Sequence, residues 1–295
     1  MDTSILERII KTKQDEIHHL TSAEALAELK DKALACPPPR GFGAALHRAK
    51  PPAVIAEIKR ASPSRGAIRP DLNPAETAVG FALNGATCLS VLTDEKFFGG
   101  KLEFIAQIKR AFSVQRVQPI PILRKDFIIH PAQVWETRAA GADAGLLIAA
   151  ALSADALTAL LHEFFAASLD VLVEVHTEEE LLAALNALGE MADSSTGPAQ
   201  AVLGINNRDL GTFATDLETT KRLGADLRNH FRTPEAHSSL HDLVLVSESG
   251  ILNGADMRRL ASYGAQAFLV GESLVASGDP GENLTRLISE FHAGV

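Results

Sequence analysis

Eight short apolar segments, separated by helical patterns, constrain the fold of this chain more than any other feature. Each segment is continuously apolar rather than alternating, which is typical of strands that are buried on both faces of a parallel sheet. The segments are VIAEIK (54–59), TCLSVLT (87–93), IPILRK (120–125), AGLLIA (144–149), VLVEV (171–175), AVLGIN (201–206), LVLVS (243–247) and AFLVG (267–271).

Helix signals lie between the strand segments. Asn73 precedes Pro74 and Glu76, which is a pattern for a helix start. Thr177 and Glu180 predict a capping box whose helix ends at Gly189. Strands that alternate with helices predict βαβ units and a parallel sheet.

The number of units favours a closed barrel over an open sheet. Eight βα units predict a (β/α)8 TIM barrel, an α/β fold. An open, doubly wound sheet would require a glycine fingerprint after its first strand, and KRASPSRG (59–66) lacks one.

The N-terminal segment predicts a helix outside the barrel. Ser4 and Glu7 form a capping-box pattern, and Ile5 and Ile9 begin an apolar stripe at helical spacing. We therefore expect one barrel domain over 1–295 with an N-terminal helical extension of approximately 1–50. Two polar stretches, 190–200 and 229–241, are predicted to be surface loops.

Composition excludes several classes of protein. The formal net charge of −9 argues against a general electrostatic interaction with nucleic acid or an anionic membrane. No apolar run approaches the roughly 18 residues that span a bilayer, and the N-terminus lacks the features of a signal peptide. With only two cysteines, we expect a cytoplasmic protein. His237 and His241 lack an HExxH pattern, so no metal site is expected.

Polar side chains interrupt the apolar segments where the strands end. In a (β/α)8 barrel these ends meet at one face, which carries the active site. Buried charges are costly unless they are paired or functional, so a set of them at one face predicts a site, although any one alone could be an exposed strand end. The residues are Glu57, Lys59, Lys125, Glu174, Asn206, Arg208 and Glu248.

Glycine-containing loops after the last two strands indicate a phosphate site. Ser249-Gly250 and Gly271-Glu272 lie where such barrels bind phosphate, and SPSRG (62–66) adds hydroxyl groups and Arg65. With Lys59 they predict an anionic sugar-phosphate ligand. KFFGG (96–100) has two open interpretations: ordinary packing under the loop, or a hinged lid that stacks on an aromatic substrate.

The chain resembles the indole-3-glycerol phosphate synthase family from about Ile5 to Leu274. The N-terminal segment ILERIIKTKQDEI is also similar to that family's first helix. The motifs that carry the resemblance are AEIKRASPSRG (56–66), SVLTDEKFFGG (90–100), PILRKDFI (121–128), LLIAAAL (146–152), VEVHTEEEL (173–181), GINNRDL (204–210), SESGI (247–251) and FLVGESL (268–274).

The resemblance implies an enzyme of tryptophan biosynthesis that uses no cofactor. It would close the ring of 1-(2-carboxyphenylamino)-1-deoxyribulose 5-phosphate with loss of carbon dioxide and water. Lys125 would protonate the ketone oxygen, Glu174 would serve the later dehydration, and the division of work between Lys59 and Lys125 stays open. Glu57 and Asn206 would orient these groups or the sugar hydroxyls. The implied substrate-binding residues are Arg208 for the carboxylate, Phe98 and Phe127 for the aromatic ring, and Ser62, Ser249, Gly250, Gly271 and Glu272 for the phosphate, with Glu248 added as a strand-end residue.

One residue departs from some relatives. Glu272 replaces a serine after Gly271, and because a carboxylate repels phosphate, only its backbone N–H is expected to contribute. Two rival functions stay open on the residues alone: an aldolase-like enzyme with a Schiff base at Lys125, and a protein that binds the substrate without converting it. The expected partners are the small anionic substrate, no nucleic acid and no membrane, with association with other tryptophan-pathway enzymes left as an open expectation.

Overall fold

The computed structural model describes residues 4–194, 199–233, 237 and 240–294. In these residues eight parallel strands form a closed barrel, in which each strand pairs with its neighbours in sequence and the first pairs with the last. The strands β1 to β8 are Ala53–Ile58, Cys88–Leu92, Ile122–Lys125, Ala144–Ile148, Asp170–Val175, Ala201–Asn206, Leu245–Glu248 and Ala267–Val270.

Helices precede β1 and follow every barrel strand. Three of them, Ile5–Ile17, Ala23–Ala35 and Phe42–Arg48, lie before β1. The later α-helices of the described residues are Pro74–Leu83, Glu95–Phe98, Glu103–Gln115, Pro131–Ala139, Ala154–Ala166, Glu178–Ser194, Glu218–His230, Gly254–Ser262, Glu272–Val275 and Pro280–His292.

The strands are apolar on both faces because each face meets a different part of the core. Ile55, Leu123 and Leu172 belong to the cluster that fills the barrel. Val54 and Ala56 point the other way and pack against the surrounding helices. Successive residues of a strand alternate between its faces, so a strand between these two layers needs apolar residues throughout.

The predicted fold class is confirmed: the chain is a (β/α)8 TIM barrel with N-terminal helices before β1. All eight predicted strands are present, with ends that differ by at most two residues. The Ser4–Glu7 capping box and the Asn73 cap are also present. A short antiparallel hairpin, Ala61–Ser62 with Gly66–Ala67, follows β1 and was not predicted.

Two predictions about local structure are wrong. The helix that begins at Glu178 continues past Gly189 to Ser194, and residues 229–230 belong to the helix Glu218–His230, so parts of both predicted loops are helical. A helical glycine costs only about 1 kcal/mol and does not by itself end a helix. At Gly189 a Cβ atom would collide with the ring of His237, which explains the glycine. Of the two predicted loops, 195–198, 234–236 and 238–239 lie outside the described residues.

Candidate active site

A cavity of about 370 Å³ opens at the carboxyl ends of the barrel strands. All the candidate site residues line it, so the structure brings the whole predicted set together, while the role of each stays a prediction. They are Glu57, Lys59, Ser62, Phe98, Lys125, Phe127, Glu174, Asn206, Arg208, Glu248, Ser249, Gly250, Gly271 and Glu272.

Glu57 and Lys59 form an ion pair at the end of β1. They lie two residues apart, so both side chains point into the barrel mouth, and Glu57 Oε1 is 2.6 Å from Lys59 Nζ. Burial would raise the pKa of Glu57, but Lys59 and Lys125 outweigh burial and lower it. Gly271 leaves room for this carboxylate, since a Cβ atom there would lie 2.6 Å from Glu57 Oε1.

Lys125, the last residue of β3, occupies the centre of the site. Its Nζ lies 2.8 Å from Glu174 Oε2 and 3.6 Å from Glu248 Oε2. Burial would lower the pKa of this ammonium, but Glu174 and Glu248 outweigh burial and raise the pKa above its ordinary value. Burial would raise the pKa of Glu174, but Lys125 beside it outweighs burial and lowers the pKa well below its ordinary value. Lys125 is therefore a cation and Glu174 an anion.

Glu248, the last residue of β7, takes up a proton more readily than Glu174. Burial and the nearby negative charge of Glu174 raise the pKa of Glu248 to about 8. Of these two carboxyl groups, Glu248 is therefore the one that is protonated first. Gly204 of β6 makes space for it, because a Cβ atom there would collide with Glu248 Oε1.

The part of the cavity where a phosphate site is predicted has two consecutive residues with positive φ. Ser249 has φ +66° and Gly250 has φ +78°. A Cβ atom on Gly250 would lie 2.5 Å from Thr215 Cγ2, so this position requires glycine on grounds of both space and conformation. The turn brings backbone groups close to whatever occupies this end of the cavity.

The side chain of Glu272 pairs with two cations. Its Oε1 lies 2.9 Å from Arg65 Nη2, and its Oε2 lies 3.6 Å from Arg208 Nη2. Arg208 also donates a hydrogen bond to Ser64 Oγ. The carboxylate is thus the counter-ion of both guanidinium groups.

Phe98 and Phe127 form the aromatic wall, with ring centroids 6.0 Å apart. The 96–100 segment, which carries Phe98, is tightly held. Asp94 accepts a hydrogen bond of 2.7 Å from Phe97 N, and a Cβ atom on Gly100 would collide with the carbonyl group of Leu92. These contacts favour the packing interpretation of the segment over the hinged lid.

Comparison with known proteins decides the family. The family model described as "Indole-3-glycerol phosphate synthase" matches residues 6–287. The chain belongs to the indole-3-glycerol phosphate synthase family. It is 44% identical over 279 residues to the indole-3-glycerol phosphate synthase of Roseiflexus sp. (strain RS-1), covering 95% of this chain and 96% of that protein. With the synthase of Roseiflexus castenholzii (strain DSM 13941 / HLO8) the identity is 42%, with the same coverage.

Solved structures of low identity support the fold alone. A 3-hexulose-6-phosphate synthase matches with a TM-score of 0.57 at 14% identity, over 81% of this chain and 99% of that chain. A mandelate oxidase mutant matches with a TM-score of 0.54 at 16% identity, over 98% and 93%. Divergent enzymes share this barrel, so the function is assigned from the family and not from the fold.

The enzyme is accordingly an indole-3-glycerol phosphate synthase, a carboxy-lyase of tryptophan biosynthesis that binds the carboxyphenylamino-deoxyribulose phosphate. Family membership decides against both the aldolase-like enzyme and the non-catalytic binder. None of the described helices is long and apolar enough to cross a membrane.

Sequence reasoning missed Lys13, which connects the N-terminal helix to the site. Its buried Nζ lies 2.9 Å from Asp126 Oδ1 and 3.1 Å from Asp94 Oδ2. Asp126 follows Lys125, and Asp94 caps the helix that carries Phe98. Because only the docking of the helix brings Lys13 to these carboxylates, the spacing along the chain contains no signal for it.

His176 was also missed, although it lies within a recognised motif. Its Nε2 is 3.3 Å from Glu174 Oε1, and its Nδ1 is 3.1 Å from Glu180 Oε2. The predicted capping box is present only in part: Thr177 Oγ1 accepts from Glu180 N, but Glu180 Oε2 accepts from His176 N. The first-turn glutamate therefore contacts the histidine instead of the cap residue.

Proposed function

We propose that Lys125 is the general acid of ring closure and that Glu174 serves the dehydration. The observation that carries this proposal is the position of Lys125 Nζ, 2.8 Å from Glu174 Oε2 at the wall of an open cavity. A general acid must keep its proton until the transition state, and the neighbouring carboxylates favour the charged amine.

The reaction then has two parts. The ring carbon that bears the carboxylate attacks the ketone carbon while Lys125 gives its proton to the ketone oxygen. The carboxylate leaves as carbon dioxide, and the electron pair of the broken bond restores the aromatic ring. In the dehydration the new hydroxyl leaves as water and the carbon beside the nitrogen loses a proton, with Glu174 moving protons in this step. One proton comes from solvent overall, because an anionic carboxylate becomes neutral carbon dioxide.

We assign the remaining residues to binding. The Arg208 guanidinium would pair with the substrate carboxylate, and Phe98 with Phe127 would contact its aromatic ring. Glu57, Lys59 and Asn206 would orient the reacting groups, and Glu248 in its protonated form would donate a hydrogen bond to a sugar hydroxyl. The phosphate would contact Ser62, Ser249, Gly250, Gly271 and the backbone of Glu272. Binding energy from the phosphate can hold the reacting carbons together.

A turnover assay tests this proposal directly. The purified protein should produce indole fluorescence from the carboxyphenylamino-deoxyribulose phosphate without added cofactor or metal. Borohydride added during turnover should leave the mass of the protein unchanged, because a protonated Lys125 forms no Schiff base. A substrate-sized adduct at Lys125 would refute the general-acid role.

Removal of the Glu272 carboxylate is expected to strengthen phosphate binding. The carboxylate pairs with Arg65 and Arg208, so it competes with the anionic groups of the substrate for these cations and repels the phosphate. Glu272→Ser should lower the KM about 2–5-fold, since partly exposed charge pairs contribute up to about 1 kcal/mol, while kcat changes less. The KM and the inhibition constant of inorganic phosphate measure this, with Glu282→Gln as the control for loss of an exposed charge. A raised KM would instead make Glu272 a substrate ligand.

A cytoplasmic location and an association with other enzymes of tryptophan biosynthesis stay predictions. The location is supported by two unpaired cysteines, Cys36 and Cys88, which are typical of a reducing compartment.

A further inference from the structure

The side chains of Glu180, His176 and Glu174 form a connected row behind the reacting groups. We propose that His176, held by Glu180, is a positioning residue that fixes the Glu174 carboxylate beside Lys125. This inference rests on the proposed function, because it assumes that Glu174 acts on the substrate.

Local structure places the histidine beside Glu174. Glu174 and His176 lie two residues apart at the end of β5, so both side chains leave the same face of the strand. The helix Glu178–Ser194 begins directly afterwards and turns Glu180 back over His176. Glu180 Oε2 accepts a hydrogen bond of 2.7 Å from His176 N and lies 3.1 Å from His176 Nδ1. One carboxylate therefore holds both the backbone and the ring.

The Nε2 side of the His176 ring faces the Glu174 carboxylate. His176 Nε2 lies 3.3 Å from Glu174 Oε1, and the other oxygen, Oε2, lies 2.8 Å from Lys125 Nζ. Both Nε2 and Oε1 are buried, and in the described part of the chain neither meets the geometry of a hydrogen bond with any group, including each other. Because unpaired buried polar atoms are costly, the distance of 3.3 Å indicates that the two atoms are paired as ions. The carboxylate is thus held at both oxygens.

His176 acts through Glu174 and not on the substrate. Neither His176 nor Glu180 lines the cavity in the described structure, and the His176 side chain is only 9% exposed. A ring that served packing alone would have no need for a carboxylate at each nitrogen. The arrangement resembles the general case in which a second group orients the base that performs the proton transfer.

The charges around His176 indicate what it does for Glu174. The carboxylates that face it are Glu174 and Glu180. Asp209 also lies close enough for the charge of His176 to lower the pKa of Asp209, although hydrogen bonds from Thr212 have the larger effect. Burial would lower the pKa of His176, but Glu174 and Glu180 outweigh it and raise the pKa to about 10. When Lys125 has given up its proton, the imidazolium is still present as a counter-ion, so Glu174 stays ionised for the dehydration.

Two substitutions separate orientation from charge. His176→Leu should lower kcat about 10–100-fold, which is typical for loss of a group that orients a ligand or base, with KM changed less than about threefold. The acid limb of the kcat–pH profile should move to higher pH by about one unit, because loss of a neighbouring cation raises the pKa of Glu174. His176→Gln can restore an N–H donor but not the charge, so it should recover part of kcat without restoring the pH profile.

Controls distinguish this role from a general effect on folding. Trp135→Phe removes a hydrogen bond to Glu163 away from the cavity and should leave kcat and the pH profile unchanged. If His176→Leu does not fold, His176→Gln alone decides the question through its pH profile. Wild-type kcat and pH profile in a folded His176 variant would overturn the inference. If Glu174→Gln keeps full activity, the proposed function fails instead, whatever the His176 variants show.

Discussion

Replacement of Lys125 by alanine is expected to remove most of the turnover of this enzyme. General acid catalysis typically contributes about 10²–10⁴-fold, or about 3–5 kcal/mol of transition-state stabilisation. The nearby Glu174 and Glu248 hold the Lys125 amine in its protonated form. Among the described ion pairs, no other lysine contacts either of these two residues. The affinity for substrate should fall only modestly, since the ketone oxygen contributes little to binding. Indole fluorescence gives kcat and KM for this comparison.

A second lysine provides the matched control for Lys125. Lys109 lies on the outer helix Glu103–Gln115 and donates a hydrogen bond of 3.0 Å to the carbonyl group of Gly141. Lys109→Ala should keep kcat near the wild-type value, because this residue is remote from the cavity. A Lys125→Ala variant that keeps kcat within tenfold of wild type would show that another group supplies the proton.

Replacement of Lys13 by methionine is expected to destabilise the protein by about 3–5 kcal/mol, as is typical when one partner of a buried ion pair is removed. Methionine keeps most of the side-chain length but leaves two buried carboxylates without their shared cation. Asp94 is affected most, because in the described residues its Oδ2 makes no hydrogen bond and relies on Lys13 Nζ at 3.1 Å. Urea unfolding measures the loss in the free energy of unfolding.

An exposed ion pair between a lysine and a glutamate provides the control for Lys13. Lys32 and Glu28 are 3.7 Å apart and both side chains are mostly exposed, so Lys32→Met should cost less than about 1 kcal/mol. Equal losses in the two variants would contradict the importance of the buried Lys13 cluster. Because Asp126 follows Lys125 in the chain, we also expect Lys13→Met to lower kcat at temperatures where the variant is folded.

The same cluster predicts a pH dependence of stability. Burial would raise the pKa of Asp126, but Arg124 and Lys13 outweigh it and lower the pKa to about 2. A carboxyl group whose pKa is lower in the folded than in the unfolded state stabilises the folded protein at pH values above the unfolded pKa of about 3.9. This stabilisation is lost as the pH falls towards the folded pKa of about 2. In Lys13→Met the pKa of Asp126 should rise, so acid unfolding should begin at higher pH than in the wild-type protein.

The strands and the paired site residues could be predicted because their signals are local. A strand between two apolar layers needs an unbroken apolar segment, and this pattern places β1 to β8 to within two residues. Side chains two apart on a strand share a face, which relates Glu57 to Lys59 without knowledge of the fold. The same reasoning relates Asn206 to Arg208, and the structure has a hydrogen bond of 3.0 Å from Arg208 N to Asn206 Oδ1.

Groups that act across distant parts of the chain could not be predicted in this way. Lys13 lies on an amphipathic helix, where a lysine is usually exposed, and its partners lie about a hundred residues away. Gly189 is a residue type that often ends a helix, yet here it lies inside one. The ring of His237 leaves no room for a side chain at this position, and this contact is not visible in the local sequence. His176 follows a strand like many exposed residues, and only the turn into the next helix brings Glu180 over it.

The sequence by itself determines the barrel and the face on which the site lies, because strand patterning and residue spacing are local properties. Some of the residues that line the site, such as Phe127, are predicted only from the resemblance to the family. Only the tertiary structure decides which of these groups are charged. Glu174 and Glu248 both end barrel strands, yet Glu174 is an anion beside Lys125 while the pKa of Glu248 rises to about 8. A pKa depends on burial and on distances to charges carried by other strands, and neither quantity is contained in the spacing of residues along one strand.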